Sequence, residues 1–167
     1  RLYIGFGTSK NINTISNLNN LEELDILWVK QLSDISSISK LTSLIKLKIE
    51  DEKQIKFLPD LSQLKNLKNI RLMNISSIED VSSLINSFAE ELIITGPNKN
   101  ADILIPITKS DSLQKVYTCF YVKKEQIKAE QLLGSKFCKL DKMEFEMSYL
   151  KRMTLKYYDY NTGKEIN

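Results

Sequence analysis

Three pairs of adjacent acids, Glu22-Glu23, Asp51-Glu52 and Glu90-Glu91, come nearest in this chain to a general acid–base constellation. Paired carboxylates move protons or cleave glycosides only when they converge on an enclosed pocket. Neighbours along an extended strand point to opposite faces, so each pair diverges and no catalytic dyad is expected. The chain has no histidine, which removes Ser-His-Asp and Cys-His nucleophile machinery and most zinc sites. Gly134-Ser135-Lys136 lacks the G-x-x-x-x-G-K-[ST] frame of a phosphate loop. It also follows a helical stretch, whereas anions sit at helix N-termini. Asp34, Asp80 and Asp102 recur at equivalent turns without a D-x-D-x-D-G loop around them. A short polar side chain closing a backbone turn accounts for them. The expectation is a chain with no catalytic, metal or cofactor residues, and not an enzyme.

What remains is recognition chemistry, and the residues for it recur at fixed spacing. Leu21-Glu22-Glu23-Leu24-Asp25-Ile26 returns as Leu44-Ile45-Lys46-Leu47-Lys48-Ile49 and again as Leu67-Lys68-Asn69-Ile70-Arg71-Leu72, 23 residues apart each time. Strand side chains alternate faces. Leu24, Ile26, Leu47, Ile49, Ile70, Leu72, Leu92 and Ile94 are therefore assigned inward. The outward set is Tyr3, Asp25, Leu27, Lys46, Lys48, Asn69, Arg71, Met73, Glu91, Ile93, Lys115 and Tyr117, with Glu23, Glu50, Thr95 and Cys119 on the same face. Leu27, Met73, Ile93 and Tyr117 are apolar where a merely solvated face favours polar residues, and Arg and Tyr are enriched at binding hot spots. This face is the candidate partner-binding surface, with Arg71, Met73, Ile93 and Tyr117 as anchors. Trp28, just past the second strand, is either a further anchor or a ring packed along the rim.

The elements that position these residues follow from the same periodicity. Apolar ladders at steps of three, Ile35, Ile38, Leu41 and then Leu58, Leu61, Leu64, precede the repeated strands and fill the opposite wall. A period of 20–29 residues built on L-x-x-L-x-L is the leucine-rich-repeat signature. An N-terminal unit runs from Leu2-Tyr3-Ile4 through Ile12, Ile15 and Leu18, with a return about one residue shorter; Gly5 and Gly7 give it freedom to bend. After the turn signal Gly96-Pro97-Asn98 the period loosens. Leu113–Thr118 reads as one more strand, and Lys124–Leu133 as a helix stopped by Gly134. Leu140, Met143 and Phe145 suggest a last strand. Met153–Tyr160 suggests another, leading into a hairpin turn at Asn161-Thr162-Gly163-Lys164. Residues 1–122 are thus expected to hold about five to six repeats, and residues 123–167 a C-terminal repeat or cap with one helix and terminal strands.

The segment Ser33-Asp34-Ile35-Ser36-Ser37-Ile38-Ser39-Lys40-Leu41-Thr42-Ser43-Leu44 resembles the internalin-like class of bacterial leucine-rich-repeat proteins. In that class an I-x-D-I segment leads into L-x-x-L-T-x-L and then a strand. Ile78-Glu79-Asp80-Val81 fits the pattern, whereas Phe57-Leu58 departs from it, its acid displaced to Asp60. The asparagine that the family places after the strand is missing, Asn74 standing nearby but out of step. The resemblance spans roughly residues 1–118. It implies an α/β solenoid: a curved coil with a parallel β-sheet on its concave side and short or 3-10 helical returns. It also implies protein binding without catalysis, and a family name does not name the ligand.

Charge and composition narrow the partner class further. Residues 1–122 carry 14 basic against 14 acidic side chains, and residues 123–167 ten against seven. Even with Lys151, Arg152, Lys156 and Tyr157 in the tail, that is no nucleic-acid footprint. No apolar run approaches the length of a membrane span. Cys119 and Cys138 are too few for a secreted disulfide framework and are expected to be buried free thiols. The chain starts at Arg1 rather than Met, pointing to a trimmed product, and both a cell-surface or secreted and a cytoplasmic location fit. The expectation is a monomeric module that binds a protein partner through the concave strand face, without cofactor. The alternative is a structural spacer in a larger protein whose active part lies in or beyond the C-terminal segment.

Overall fold

A computed structural model describes residues 1–97 and 100–139, together with the short strands Tyr157–Tyr158 and Glu165–Ile166. Seven strands lie side by side in chain order in one open, all-parallel sheet: β1 (Leu2–Gly5), β2 (Glu23–Leu27), β3 (Lys46–Glu50), β4 (Asn69–Met73), β5 (Glu91–Thr95), β6 (Lys115–Cys119) and β7 (Phe137–Cys138). Parallel neighbours require a crossover between them. Here the returns use 3-10 helices at Asn13–Asn17, Ser36–Lys40, Ser82–Leu84 and Ala101–Leu104, the last running into the one-turn helix α1 (Ile105–Thr108). The return between β6 and β7 holds the longer helix α2 (Lys123–Leu133), followed by a 3-10 turn at Gly134–Lys136. Two further strands among the described residues, β8 (Tyr157–Tyr158) and β9 (Glu165–Ile166), pair antiparallel.

The near-constant spacing of the repeats, 23 residues from Leu24 to Leu47 and from Leu47 to Ile70, sets the register. Leu2, Leu24, Leu47, Ile70, Leu92, Val116 and Phe137 stand in one line across the sheet. The second inward line holds Ile4, Ile26, Ile49, Leu72, Ile94 and Thr118. From β2 to β6 every residue of both lines is buried. Ile35, Ile38, Leu41, Leu58, Leu61 and Leu64 face them from the returns and are buried with them in one continuous apolar core. Each side chain thus packs on its own unit and on the units to either side, so stability accumulates at interfaces between neighbours.

Short polar side chains close the turns that open the returns, including the β3–β4 return, which has no 3-10 helix. Asp34 Oδ1 accepts the Ser36 N–H at 2.9 Å, Asp60 Oδ1 the Ser62 N–H at 2.9 Å, and Asp80 Oδ1 the Ser82 N–H at 2.9 Å. Asn11 Oδ1 does the same for Asn13 at 3.2 Å and Asn100 Oδ1 for Asp102 at 3.0 Å. This corrects the grouping of Asp102 with Asp34 and Asp80. Asn100 takes the turn-closing place, and the Asp102 carboxylate reaches out to Lys128 Nζ at 2.7 Å.

A second recurrent position directly follows the strands. Phe6, Trp28, Asp51, Asn74 and Gly96 all have left-handed backbone, with φ of 56, 49, 55, 53 and 67°. The bend expected from Gly5 and Gly7 therefore falls on Phe6 between them. Gly5 has a different use: a Cβ there would lie 2.6 Å from Tyr3 Oη, so its bareness admits the Tyr3 ring.

Helix α2 begins one residue before the expected Lys124 and ends where expected, with Gly134 at φ 53° donating its N–H to the Glu130 carbonyl. Ala129 and Leu133 are its buried residues, Glu125 Oε2 accepts the Ala101 N–H at 2.7 Å, and Gln126 Oε1 accepts the Phe120 N–H at 3.0 Å. Leu113, expected in a strand, is buried in the turn before β6. The strand expected around Leu140, Met143 and Phe145 lies outside the described residues, as does the hairpin turn at Asn161–Lys164. Cys119 is exposed and Cys138 half-buried, both as free thiols. The buried pair expected of them is not found, because Cys119 falls on an outward phase at the end of β6. No helix among the described residues is long and apolar enough to cross a membrane.

Candidate binding face of the sheet

Outward-facing side chains of the strands form three lines across the sheet, each one strand spacing, about 4.8 Å, per step. The central line is Tyr3, Asp25, Lys48, Arg71, Ile93 and Tyr117. Toward the strand starts runs Glu23, Lys46, Asn69, Glu91 and Lys115; toward the strand ends run Gly5, Leu27, Glu50, Met73, Thr95 and Cys119. The register therefore brings eleven of the twelve candidate residues onto one reachable surface: Tyr3, Lys46 and Lys115 are exposed, and Asp25, Leu27, Lys48, Asn69, Arg71, Glu91, Ile93 and Tyr117 are half-buried.

Met73 is the exception, at 3% exposure. Glu50 and Thr95, its neighbours in the strand-end line, are buried too. The strand-end line is covered from β3 to β5, between the half-buried Leu27 and the exposed Cys119; alternation of faces alone does not reveal this, and Met73 is no surface anchor.

Charge is distributed unevenly along the face. At the β1–β3 end it is internally neutralised. Arg1 Nη2 donates to Asp25 Oδ2 at 2.6 Å, Arg1 Nε stands 3.6 Å from Glu23 Oε2, and Lys46 Nζ donates to Glu23 Oε1 at 2.9 Å. The Lys46 hydrogen bond holds the Glu23 carboxyl below the usual range against the opposing effect of burial, and the Asp25 hydrogen bond raises the Arg1 guanidinium. Lys48 Nζ lies 2.9 Å from Glu50 Oε2, with side-chain exposures of only 15% and 8%. Arg71 is different. Its register neighbours are Lys48 and Ile93, and its guanidinium makes no hydrogen bond or ion pair among the described residues.

The acid pairs behave as divergent neighbours. Glu23 is tied to Lys46, Glu90 pairs with Lys68 just ahead of β5, and Glu52 is buried with Oε1 accepting the Val29 N–H at 2.7 Å. Burial pushes the Glu52 carboxyl up, the Val29 hydrogen bond opposing and the nearby Asp51 charge adding to the rise. A groove of about 300 Å³ lies away from the strand face, lined by Glu79, Asp80, Asn100, Asp102, Ile103 and Pro106. Each of its acids already has a protein partner: Lys56 for Glu79, Ser82 for Asp80 and Lys128 for Asp102. Sequence reasoning missed one cluster. Phe6 stacks edge-on against Trp28 with ring centroids 5.9 Å apart and touches Tyr3 at 6.5 Å. Its signal was the 22-residue spacing of Phe6 and Trp28 at the position after the strand.

No family model matches this chain, and no curated protein does.

Proposed function

We propose that this chain is a leucine-rich-repeat solenoid of the internalin-like class whose work is to bind a protein partner through the concave face of its sheet, without catalysis. Support for the repeat reading comes from the in-line register of Leu24, Leu47, Ile70, Leu92 and Val116 and from the open parallel sheet with short returns. The observation that carries the binding reading is Arg71. A half-buried guanidinium with five donors and no protein acceptor among the described residues is poised for a carboxylate supplied from outside. Ile93 beside it and Tyr117 one strand further supply apolar contact at that end of the face. Buried aromatic and Arg contacts dominate interface energies, while rim charges set orientation and on-rate.

The experiment is affinity capture from source-cell lysate with the wild type beside Arg71→Ala/Tyr117→Ala, after both have been shown to melt at the same temperature. A protein held by the wild type and lost by the folded double variant supports the reading and names the partner. Retention by both moves binding off the strand face and overturns it.

A further inference from the structure

The aromatic cluster at the β1–β2 end of the rim carries an inference of its own. At five successive strand ends the chain turns through left-handed backbone, a conformation suited to glycine and tolerated by asparagine and aspartate. Asp51, Asn74 and Gly96 obey that preference. Phe6 and Trp28 do not, and a bulky aromatic at positive φ is a true outlier. The cost is not recovered by burial: Phe6 is 67% and Trp28 52% exposed. The two rings pack edge to face on each other and continue into Tyr3, itself 37% exposed. Strained placement of exposed rings is a common mark of a functional site.

Charge decides what fits there. Lys30 and Lys53 follow Trp28 and Asp51 by two residues, and Lys10 lies in the same loop layer, where its carbonyl accepts the Ser33 and Asp34 N–H groups. All three lysines are exposed and make no ion pair or side-chain hydrogen bond among the described residues. The acids at the rim are the half-buried Asp51 and the buried Glu52. An anionic bilayer suits the rim less well, since membrane-binding patches gather four or more cations, whereas the rim offers three lysines with Asp51 at the next strand end and Asp25 beside Tyr3 in the register. A peptide can place its acids singly.

We propose that the Tyr3–Phe6–Trp28 rim is a second docking surface, separate from the strand face, for an acidic protein segment that sets an apolar side chain on the paired rings and carboxylates on Lys30 and Lys53. The test selects a random-peptide display library on the wild type. Recovered peptides are then measured against Trp28→Asn, Lys30→Ala/Lys53→Ala and Arg71→Ala/Tyr117→Ala. Asparagine already occupies the equivalent left-handed position as Asn74, so Trp28→Asn is expected to fold at least as stably as the wild type, and a thermal melt checks it. Trp28 is the sole tryptophan, so its emission reads the site directly. Expected are peptides rich in acids with an apolar residue, a blue shift of Trp28 on binding, and affinity weakened at least about tenfold by Trp28→Asn. Affinity should fall with added salt and with the lysine variant, and hold in Arg71→Ala/Tyr117→Ala. Any of four results overturns the proposal: selected peptides without acids, affinity unchanged in Trp28→Asn, a concentration-dependent shift without peptide (a second copy), or the same shift with phosphatidylserine vesicles alone. Failure of the strand-face reading leaves this test untouched, because the rim peptides are scored in the strand-face variant as well.

Discussion

Glu52 offers the sharpest test of how the units are joined. Its carboxylate is 1% exposed, and its Oε1 accepts the Val29 N–H of the preceding unit at 2.7 Å. Two effects oppose each other at this site. Burial disfavours the charge, and the hydrogen bond favours it; burial is the larger, and the Asp51 charge adds to it, so the folded carboxyl titrates above its ordinary range. A raised acid contributes its full stability at low pH, where folded and unfolded chains are both protonated. That contribution is lost as pH rises, first ionising the unfolded chain and then the folded one through its higher pKa. Glu52→Gln keeps an acceptor for Val29 and cannot ionise, so it should be more stable than wild type at neutral pH and equal to it in acid. Glu52→Ala removes the acceptor and strands a buried N–H, at a cost of about 1–3 kcal/mol, a sizeable share of a domain's stability of roughly 5–15 kcal/mol. Urea unfolding of all three proteins at a series of pH values, with m-values compared, reads both effects. Subtracting the Glu52→Gln curve from wild type cancels every other titrating group. A difference that is flat with pH, or a Gln variant as unstable as the Ala variant at neutral pH, would refute the reasoning.

Leu47→Asp places a carboxylate in the middle of the core line, where Leu47 is 1% exposed; it should cost several kcal/mol and show as loss of the cooperative circular-dichroism transition. Asp34 and Asp60 are held below the usual carboxylate range, chiefly by the Ser36 and Ser62 backbone N–H groups. Their contribution is present above the unfolded pKa and lost as pH falls through the lowered folded value. Asp34→Asn/Asp60→Asn keeps the acceptors and should flatten the acid limb of a stability–pH curve. Gly96→Ala puts a Cβ on left-handed backbone at φ 67°, 2.9 Å from Tyr121 Oη and 3.1 Å from Asn74 Cα. It should cost roughly 1–2 kcal/mol in backbone strain, and adding Tyr121→Ala should not restore the melting temperature.

The inward half of the strands was legible because it depends on one periodicity. Leu24, Leu47 and Ile70 share a phase, and their register follows from a spacing that barely varies. Outward residues were legible as a face but not as a surface. Met73 has the phase of an exposed residue, yet it sits in the strand-end line where Glu50 and Thr95 are also buried. Whether an outward side chain meets water depends on its surroundings in the fold, which phase does not report: Leu27, at the same place on β2, is half-buried. The turn-closing role of Asn100 was hidden for a similar reason. Counting from strand to turn selects Asp102, but the carboxamide two residues earlier has the reach to close the turn, which frees Asp102 for Lys128. Arg71 could be named from sequence, but its lack of an acceptor among the described residues could not: that depends on the register that sets Lys48, not an acid, beside it.

That register separates what holds the sheet together from what its surface can recognise. The inward lines, the returns and the turn-closing side chains draw on residues that never reach the central outward line. In that line the ion pairs gather at the β1–β3 end, where Arg1 meets Asp25. From β4 onward Arg71 and Ile93 add little to the core. Substitution outside the core usually costs far less than in it, so these positions can change with the partner while the inward lines stay fixed. The opposite holds for Phe6 and Trp28, whose backbone works against folding. A residue that the fold tolerates at a cost, beside equivalents where Asp51, Asn74 and Gly96 avoid that cost, fits the docking role proposed for it. That is why the rim, rather than a further stretch of the strand face, is the place to look for a second partner.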